Sequence, residues 1–313
     1  MFSPDLTTRP ILRLGTRGSL LARTQSQLVA DELMRIHAGL HVELIVVKTT
    51  GDRIIDRPLH EIGGKGLFTK EIEIALIERE IDFAVHSFKD VPVTMPLVRE
   101  AASDLTVAAV PRRADARDVA VMCDPTRGPF FAGARIGTSS VRRRCQLLEL
   151  CPDARIEPLR GNIDTRIRKV RAGEMDVAIL ALAGLNRIAA FDPSFMQILS
   201  TGQMLPAAGQ GALALQCRRD DDTTRALLSA LNDRITAQCV AAEREVVRAL
   251  DGDCYSPIAA LATLHNGQFS LNVAEGQPGG NPPVRRARIS VKQADFAPET
   301  FAAAAVTALR GPV

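Results

Sequence analysis

Serine and arginine side chains cluster where a strand-like segment of the sequence passes into a helix-like one. In IGTSSVRRR, Ser140, Arg142 and Arg143 stand around the predicted first turn of a helix. Backbone N–H groups and the helix dipole at such a position favour an anion, and guanidinium groups bind carboxylates or phosphates through paired hydrogen bonds. This pattern predicts a ligand that carries several negative charges.

Other arginines occupy comparable positions after predicted strands. Arg17 stands beside Ser19 in LGTRGS, Arg160 lies in LRGN, and Arg166 and Arg187 follow further along the chain. Open α/β sheets bind ligands at the carboxyl ends of their strands. We therefore expect these side chains to converge on one crevice.

Positive charge is concentrated in one part of the chain. Residues 111–171 hold 14 Lys plus Arg and 7 Asp plus Glu, a local charge of 14 minus 7, or +7, whereas the whole chain carries +3. An alternative interpretation, which composition alone favours, is that residues 142–144 and 166–171 form solvated faces of helices. The two interpretations differ in whether these arginines are buried.

The segment HSFKDVP places Ser87, Lys89 and Asp90 after a buried-looking strand. A carboxylate beside a lysine at this edge of a sheet can act as a general acid or stabilise a developing positive charge. The alternative is a surface ion pair at the end of a strand. We expect His86 to point to the other face of the strand and to pack in the core.

Two loop segments carry weaker signals. GGKG at residues 63–66 lacks the Ser or Thr that follows the lysine of a phosphate-binding loop, so we interpret it as a glycine-rich hinge or lid with a mobile Lys65. Cys254, in DGDCYSPI, follows a long predicted helix and is a candidate nucleophile or attachment point. Cys123, Cys217 and Cys239 instead have the pattern of core residues in strands or helices.

Short β-rich segments alternate with amphipathic helical segments from Ile11 onwards, which predicts an α/β protein with a mostly parallel sheet. A Pro/Gly-rich break, DPTRGPFFAG, precedes a second series of the same kind. The C-terminal part predicts a long helix, a hairpin with an Asn-Gly turn, a strand and a final helix, which indicate a small α+β domain. At 313 residues, the chain is long enough for two or three domains.

Composition argues against several classes of protein. Tryptophan is absent and tyrosine occurs once, so we expect no nucleic-acid binding through stacked aromatic side chains. The apolar stretches are shorter than the roughly 18 residues of a membrane span. Dispersed histidines and cysteines indicate neither a metal site nor a disulfide framework. The N-terminal MFSPDLTTRP has no secretion-signal pattern, so we expect a cytoplasmic protein.

A set of motifs occurs in order across almost the whole chain: LGTRGSLLA, GGKGLFTKEIE, HSFKDVP, IGTSSVRRRCQL, LRGNIDTR and LPAAGQGALA, followed by the loop cysteine. Together they closely resemble the porphobilinogen deaminase family of tetrapyrrole and heme biosynthesis. The resemblance implies a cytoplasmic monomer with two lobes like those of type II periplasmic binding proteins and a small α+β C-terminal domain. We expect domain 1 at residues 1–107 with 206–228, domain 2 at residues 108–205 and domain 3 at residues 229–313.

The resemblance also implies the reaction. Members of this family are transferases that condense four porphobilinogen molecules head to tail into the linear tetrapyrrole hydroxymethylbilane and release ammonia at each step. They are primed by a dipyrromethane cofactor bound covalently to a cysteine through a thioether, and the matching residue is Cys254. The catalytic aspartate corresponds to Asp90. The implied partners are porphobilinogen and the growing oligopyrrole chain, whose acetate and propionate groups suit arginine forks.

Binding roles are implied for the residues that match the family's ligands. Cofactor binding is expected of Lys65, Ser87, Lys89, Thr138, Ser140, Arg142 and Arg143. Substrate binding is expected of Arg17, Ser19, Arg160, Arg166 and Arg187. One departure lies beside the cofactor cysteine, where the family commonly has Gly-Gly-Cys and this chain has Asp253 as the second residue. If that position needs a positive φ, aspartate is among the residues that tolerate it.

Two other functions are weighed against this one. A non-catalytic binding protein with the same two lobes would capture an anionic small molecule and would need neither Asp90 nor Cys254. A nucleic-acid binder would use the basic second lobe and would show a steep salt dependence of affinity.

Overall fold

The computed structural model describes residues 11–50, 69–93, 104–253 and 255–311. The predictions for Lys65 with its GGKG segment, and for Cys254 as an attachment point, lie outside the described residues. Within the described ranges, no helix is both long enough and apolar enough to cross a lipid bilayer.

Helices and strands alternate through most of the described chain. The helices are α1 (Leu20–Ile36), α2 (Lys70–Ile77), α3 (Val141–Leu150), α4 (Ile163–Arg171), α5 (Leu182–Arg187), α6 (Asp222–Ser229), α7 (Arg234–Ala249) and α8 (Pro298–Arg310). The strands are β1 (Ile11–Thr16), β2 (His41–Val46), β3 (Phe83–Ser87), β4 (Leu105–Ala109), β5 (Asp118–Met122), β6 (Arg135–Gly137), β7 (Arg155–Glu157), β8 (Val177–Ala181), β9 (Met196–Ile198), β10 (Leu213–Arg218), β11 (Ile258–His265), β12 (Gln268–Gln277) and β13 (Asn281–Lys292). Short 3-10 helices span Phe88–Asp90, Pro125–Arg127 and Gln293–Asp295.

The described residues form two compact units. The first contains residues 11–50, 69–86, 90–93, 104–112 and 213–233. The second contains residues 87–89, 113–212, 234–253 and 255–311. Each unit is thus assembled from segments that are distant in sequence. The three-domain division expected from the sequence stays a prediction.

The first unit is built on a five-stranded sheet with the order β2-β1-β3-β10-β4. β1 runs parallel to β2 and β3, and β10 runs antiparallel to β4. Successive residues of β3 point to opposite faces: Phe83 and Val85 pack in a core cluster with Leu33 of α1, whereas Ala84 packs with Leu76 of α2. Helices therefore cover the sheet on two sides, which fixes the strand ends that carry the candidate site.

The second unit contains another five-stranded sheet, with the order β7-β6-β8-β5-β9. β6 runs parallel to β7 and β8, and β5 runs antiparallel to β8 and β9. Ile179 of β8 packs with Leu147 of α3 on one face, and Leu180 packs with Val170 of α4 on the other. The two sheets show the same strand pattern. The predicted α/β fold class is confirmed.

The second unit also holds a three-stranded antiparallel sheet with the order β11-β12-β13, against which α7 and α8 pack. Asn266 and Gly267 form the β11–β12 turn with φ of 48° and 71°, as predicted from the Asn-Gly pair. Cys145 of α3 and Leu261 of β11 share a core cluster. This part of the structure is the predicted small α+β region.

Two elements differ from the sequence prediction. MDVAILALAG predicts a single strand, but β8 ends at Ala181 and α5 begins at Leu182. Because the residues from Val177 to Leu185 are apolar throughout, no periodicity marks the change from strand to helix. The three-residue strand β9, at the edge of its sheet, is too short to give a signal in the sequence.

Candidate active site

Arg17 and Ser19 lie in the turn between β1 and α1, as the sequence predicts. The Oγ atom of Ser19 caps α1 by accepting a hydrogen bond from the N–H of Ala22 at 3.3 Å. The side chain of Arg17 is half-buried. A cation and the N-terminal N–H groups of a long helix thus stand together at the end of β1, an arrangement that suits an anion.

The motif HSFKDVP forms the end of β3 and the 3-10 helix Phe88–Asp90. The N–H of Phe88 donates to the carbonyl oxygen of Ala212 at 3.0 Å. The guanidinium of Arg244 lies 4.7 Å from the centre of the buried Phe88 ring. These contacts anchor the short helix, while Asp90, its last residue, is exposed. The predicted location of a carboxylate after a buried strand is confirmed.

Lys89 is held by the loop that precedes β10. Its Nζ atom donates to Oε1 of Gln210 at 3.2 Å. Gly209 in the same loop has a φ of +72°, and a Cβ there would lie 3.3 Å from the backbone nitrogen of Lys89. A larger residue at this position would combine an unfavourable backbone conformation with a tight contact. The glycine therefore allows this loop to pass close to the backbone of Lys89.

His86 is buried, as predicted for a core histidine. Its Nε2 atom lies 2.9 Å from Oε1 of Gln216, and Nε2 of Gln216 donates to the carboxylate of Glu73 at 3.1 Å. Because the Gln216 amide donates to Glu73, its oxygen accepts from His86, which places the histidine proton on Nε2. Burial lowers the pKa of His86 to about 4. The hydrogen bond to Gln216 acts in the opposite direction and raises the pKa, whereas the positive charge of Arg17 lowers it further. His86 is therefore neutral near pH 7.

Thr138 and Ser140 lie between the end of β6 and the start of α3. The N–H of Ser140 donates to Oγ1 of Thr138 at 3.2 Å. The Oγ atom of Ser140, the N-cap residue, accepts from the N–H of Arg143 at 3.4 Å. The helix N-terminus that the sequence predicts is thus present, with two hydroxyl groups and two arginines beside it.

Arg142 and Arg143 are buried, with 4% and 7% of their surfaces exposed. The alternative interpretation of a solvated helix face is wrong for these two residues. Nη1 of Arg142 donates to the carbonyl oxygen of Leu205 at 2.6 Å, and Nη1 of Arg143 donates to that of Ile179 at 2.8 Å. The side chains of these two arginines, in the first turn of α3, therefore point into the protein interior.

The two arginines share a partner that the sequence does not identify. Nη2 of Arg142 and Nη2 of Arg143 donate to the two carboxylate oxygens of Asp118, at 2.9 Å and 2.7 Å. Nε2 of Gln210 also donates to Asp118, at 2.9 Å. Both Asp118, in the strand DVAVMC, and Gln210, in LPAAGQGALA, lie in segments that stand out in the sequence, but nothing in those segments indicates that the two residues meet.

Three further arginines occupy loops or short helices of the second unit. Nη2 of Arg187 donates to the carbonyl oxygen of Gly211 at 2.7 Å. Burial lowers the pKa of Arg187 to about 10, so it remains a cation at neutral pH. Nε of Arg166 donates to the carbonyl oxygen of Gly161 at 2.8 Å, and Gly161 has a φ of +105°. Arg160 is half-buried directly before that glycine.

The structure brings several predicted site residues into one connected group. Lys89, Arg142, Arg143 and Arg187 of the second unit all contact Asp118 or the loop that contains Gln210 and Gly211. The first unit separately holds Arg17, Ser19 and Asp90. An excess of cations in the connected group suits a ligand with carboxylate groups.

Comparison with known proteins decides between an enzyme and a binding protein. Residues 12–226 match the family model "Porphobilinogen deaminase, dipyromethane cofactor binding domain", and residues 237–294 match "Porphobilinogen deaminase, C-terminal domain". The chain belongs to the porphobilinogen deaminase family. Porphobilinogen deaminase of Acidithiobacillus ferrooxidans is 46% identical to it over 272 residues, 86% of each chain. That of Brevibacillus brevis is 46% identical over 270 residues, 86% of this chain and 85% of the other.

Among solved structures, the periplasmic VFT2 domain of Bordetella pertussis BvgS aligns with 75% of this chain and 92% of its own, with 15% identity and a TM-score of 0.40. The family membership confirms the activity implied by the sequence motifs. The chain is a transferase of porphyrin and heme biosynthesis that deaminates and condenses four porphobilinogen molecules into hydroxymethylbilane, with dipyrromethane as its cofactor.

The buried arginines fit the dipyrromethane cofactor of porphobilinogen deaminases. Among the described residues, no hydrogen-bond acceptor meets the buried Nε atom of Arg142 or that of Arg143. A buried N–H donor without an acceptor is unfavourable, and a ligand carboxylate would supply one. The cofactor's acetate and propionate groups have the required chemistry, so these two residues are suited to hold it.

The loop next to Cys254 shows how the chain accommodates its departure from the family pattern. Oδ1 of Asp253 accepts hydrogen bonds from the N–H of Tyr255 at 2.9 Å and from Oγ of Ser256 at 3.1 Å. The positive φ near this loop belongs to Asp251, at 53°, and not to Asp253. The condition that Asp253 adopt a positive φ is thus not met, and the aspartate instead stabilises a turn through its side chain.

Proposed function

We propose that Asp90 is the catalytic carboxylate of this porphobilinogen deaminase and that Cys254 carries its cofactor. The observation that supports Asp90 is its place in the chain. It is the exposed last residue of a 3-10 helix whose preceding residues are anchored, Phe88 to Ala212 and Lys89 to Gln210. An exposed carboxylate on a fixed backbone can meet a ligand without reorganising the protein.

The proposed role of Asp90 follows from the charge that develops on the substrate. Loss of ammonia from porphobilinogen leaves a cationic, electrophilic azafulvenium. The carboxylate of Asp90 stabilises this positive charge and accepts a hydrogen bond from the pyrrole N–H. When bound, the dipyrromethane supplies the terminal pyrrole carbon that attacks the electrophile. Electrostatic stabilisation is therefore the main contribution of Asp90, with assistance to proton transfer as a second one.

The remaining predicted residues are proposed to bind the carboxylate groups of cofactor and substrate. We assign cofactor binding to Lys65, Ser87, Lys89, Thr138, Ser140, Arg142 and Arg143. We assign substrate binding to Arg17, Ser19, Arg160, Arg166 and Arg187. Each pyrrole carries an acetate and a propionate, so a lengthening chain requires several cationic partners at once. The burial of Arg142 and Arg143 and the retained charge of Arg187 support these assignments.

Replacing Asp90 by asparagine tests the catalytic role. Asp90→Asn removes the charge with little change in volume, so we expect turnover of porphobilinogen to fall by at least about 100-fold while the cofactor stays attached. Activity assays would measure turnover, and intact-mass measurement of the denatured protein would measure the cofactor. The exposed Asp220, in the same unit, provides a matched control, because Asp220→Asn should leave turnover unchanged. Normal turnover in Asp90→Asn would refute the assignment.

Replacing Cys254 by serine tests the attachment point. A serine hydroxyl is a much weaker nucleophile than a thiolate, so Cys254→Ser should give a folded protein whose intact mass is that of the bare chain. The wild-type protein should carry the mass of two pyrrole units and gain further units on incubation with porphobilinogen. Cys123→Ser, at a half-buried cysteine, should retain the adduct. Full cofactor loading of Cys254→Ser would exclude this residue as the anchor.

We also propose that the enzyme works as a cytoplasmic monomer that does not bind nucleic acid. The near-neutral net charge and the 4% aromatic content support the absence of nucleic-acid binding.

A further inference from the structure

Asp118 is a fully buried carboxylate at the first position of β5 in the second unit. Three side chains donate hydrogen bonds to it: Arg142 to Oδ2, and Arg143 and Gln210 to Oδ1, at distances between 2.7 and 2.9 Å. Gln210 also accepts a hydrogen bond from Lys89. A single carboxylate therefore connects three residues to which the proposed function assigns cofactor binding.

The charges around Asp118 do not balance. Burial alone would raise its pKa, but the charges of Arg142 and Arg143, helped by Lys89, outweigh that effect and hold the pKa well below its ordinary value. Asp118 is thus an anion, and it neutralises one of the cations around it. The group keeps an excess of positive charge, which a ligand with carboxylate groups can neutralise.

Asp118 also determines how the two guanidinium groups are oriented. Each arginine is held at two points, with Nη2 on Asp118 and Nη1 on a backbone carbonyl oxygen, that of Leu205 for Arg142 and that of Ile179 for Arg143. Two acceptors on different segments fix the plane of a guanidinium group. In both residues the Nε atom is left without an acceptor among the described residues, so the fixed planes also set the direction of that N–H group.

We propose that Asp118 is a positioning residue for cofactor binding, which orients Arg142 and Arg143 so that their remaining N–H groups meet ligand carboxylates. This inference rests on the proposed function, because it takes both arginines as cofactor ligands. A purely structural role explains the arrangement less well, since a buried ion pair adds little net stability compared with apolar side chains of the same size. Two arginines around one carboxylate also leave an excess positive charge in the interior, which a purely structural ion pair would not need.

The change Asp118→Asn separates orientation from charge attraction. The asparagine keeps the size of the side chain, adds net positive charge to the group, and presents an NH₂ group to one of the arginines. If the arginines act by charge alone, the variant should bind anions as well as the wild type or better. If Asp118 orients them, apo-protein incubated with porphobilinogen should gain the dipyrromethane mass about tenfold more slowly, as expected for a displaced charge-assisted hydrogen bond.

The experiment follows the intact mass of each variant against time and, for the fraction that carries cofactor, kcat and KM. We expect Asp118→Asn to load slowly but to keep kcat near the wild-type value once loaded, because Asp118 does not touch the reacting atoms. Asp176→Asn is the matched control: Asp176 accepts hydrogen bonds from the backbone N–H and Nη2 of Arg135 in the same unit, and its loss should leave loading unchanged. Wild-type loading by Asp118→Asn would overturn the proposal.

Loading is measured well below the thermal midpoint of each variant, so that slow loading does not reflect unfolding. If Asp118→Asn loaded at the wild-type rate once it was cooled, its role would be structural and the proposal would be wrong. If that variant fails to fold, Gln210→Ala takes its place, because it removes one donor from Asp118 and the acceptor of Lys89 without changing a charge. We expect about threefold slower loading of Gln210→Ala, and unchanged loading would contradict the inference.

The variant Arg143→Ala distinguishes failure of this inference from failure of the proposed function. If Arg143→Ala loads cofactor at the wild-type rate, the assignment of Arg143 as a cofactor ligand fails, and the inference fails with it. If Arg143→Ala loads slowly while Asp118→Asn loads normally, the proposed function stands and the positioning role of Asp118 is refuted.

Discussion

His86 and Asp90 lie four residues apart on the chain, but His86 is buried and Asp90 is exposed to solvent. Asp90 is exposed at the end of a 3-10 helix, where water and ligands can reach its carboxylate. His86 is buried in a hydrogen-bond chain that runs through Gln216 to Glu73. Through these hydrogen bonds, the neutral imidazole of His86 links β3 to β10 and α2 without placing a cation in the core.

The buried histidine predicts a pH dependence of stability. Burial lowers the pKa of His86 to about 4 in the folded protein, whereas an unfolded histidine titrates near 6.5. Below pH 6.5 the unfolded chain therefore binds a proton that the folded chain does not. The free energy of unfolding should fall by about 3 kcal/mol between pH 6.5 and pH 4 through this group, and this contribution should level off below pH 4.

Urea unfolding of the wild type and of His86→Gln at several pH values between 7 and 4 measures this contribution. Glutamine does not titrate, so the difference in unfolding free energy between the two proteins should shrink as the pH falls. His41→Gln, at an exposed position of β2, is the control and should leave the pH dependence of the wild type unchanged. A parallel pH dependence of wild type and His86→Gln would show that His86 does not cause the effect.

At the level of residues, the sequence indicates which side chains are candidates for binding and chemistry but not how they are held. Ser140, Arg142 and Arg143 are recognisable because N-cap and anion-binding signals are local. The burial of the two arginines is not recognisable from the sequence. Their partner Asp118 lies 24 residues from Arg142 along the chain, and Gln210, which also binds Asp118, lies 92 residues from it. Contacts between segments so far apart depend on the folded sheet, so the charge pattern VRRR is compatible with either a solvated or a buried helix face.

At the level of elements, predictions succeed where the local signal is strong. Ser19 and Ser140 lie at the starts of helices as expected and cap α1 and α3, and the Asn266–Gly267 turn forms the predicted hairpin. The change from β8 to α5 is missed because apolar residues continue without a period. The loop before β10 shows the same limit, since its glycines signal a turn, while the contact of Gly209 with Lys89 comes from tertiary packing.

At the level of the molecule, a second buried carboxylate connects distant parts of the second unit. Glu243 of α7 is fully buried and accepts a bidentate pair of hydrogen bonds from Arg113. It also accepts from the N–H of Gly209 at 2.7 Å and from the N–H of Ala262 in β11 at 2.8 Å. One side chain thus joins α7 and the sheet that contains β11 to the loop that holds Lys89, which makes the α+β region part of the support for the candidate site.

Removing this charge should destabilise the second unit. Glu243→Gln leaves the largely buried guanidinium of Arg113 without its counter-ion and weakens two backbone hydrogen bonds, so we expect the free energy of unfolding to fall by about 3 kcal/mol. The control lies on the same helix: Glu245 pairs with Arg248, whose side chain is 53% exposed, and Glu245→Gln should cost no more than about 0.5 kcal/mol. Urea unfolding monitored by circular dichroism measures both changes. Equal stability losses in the two variants would mean that Glu243 is an ordinary ion pair. A larger loss in Glu243→Gln is expected if this carboxylate links α7 and β11 to the loop that holds Lys89.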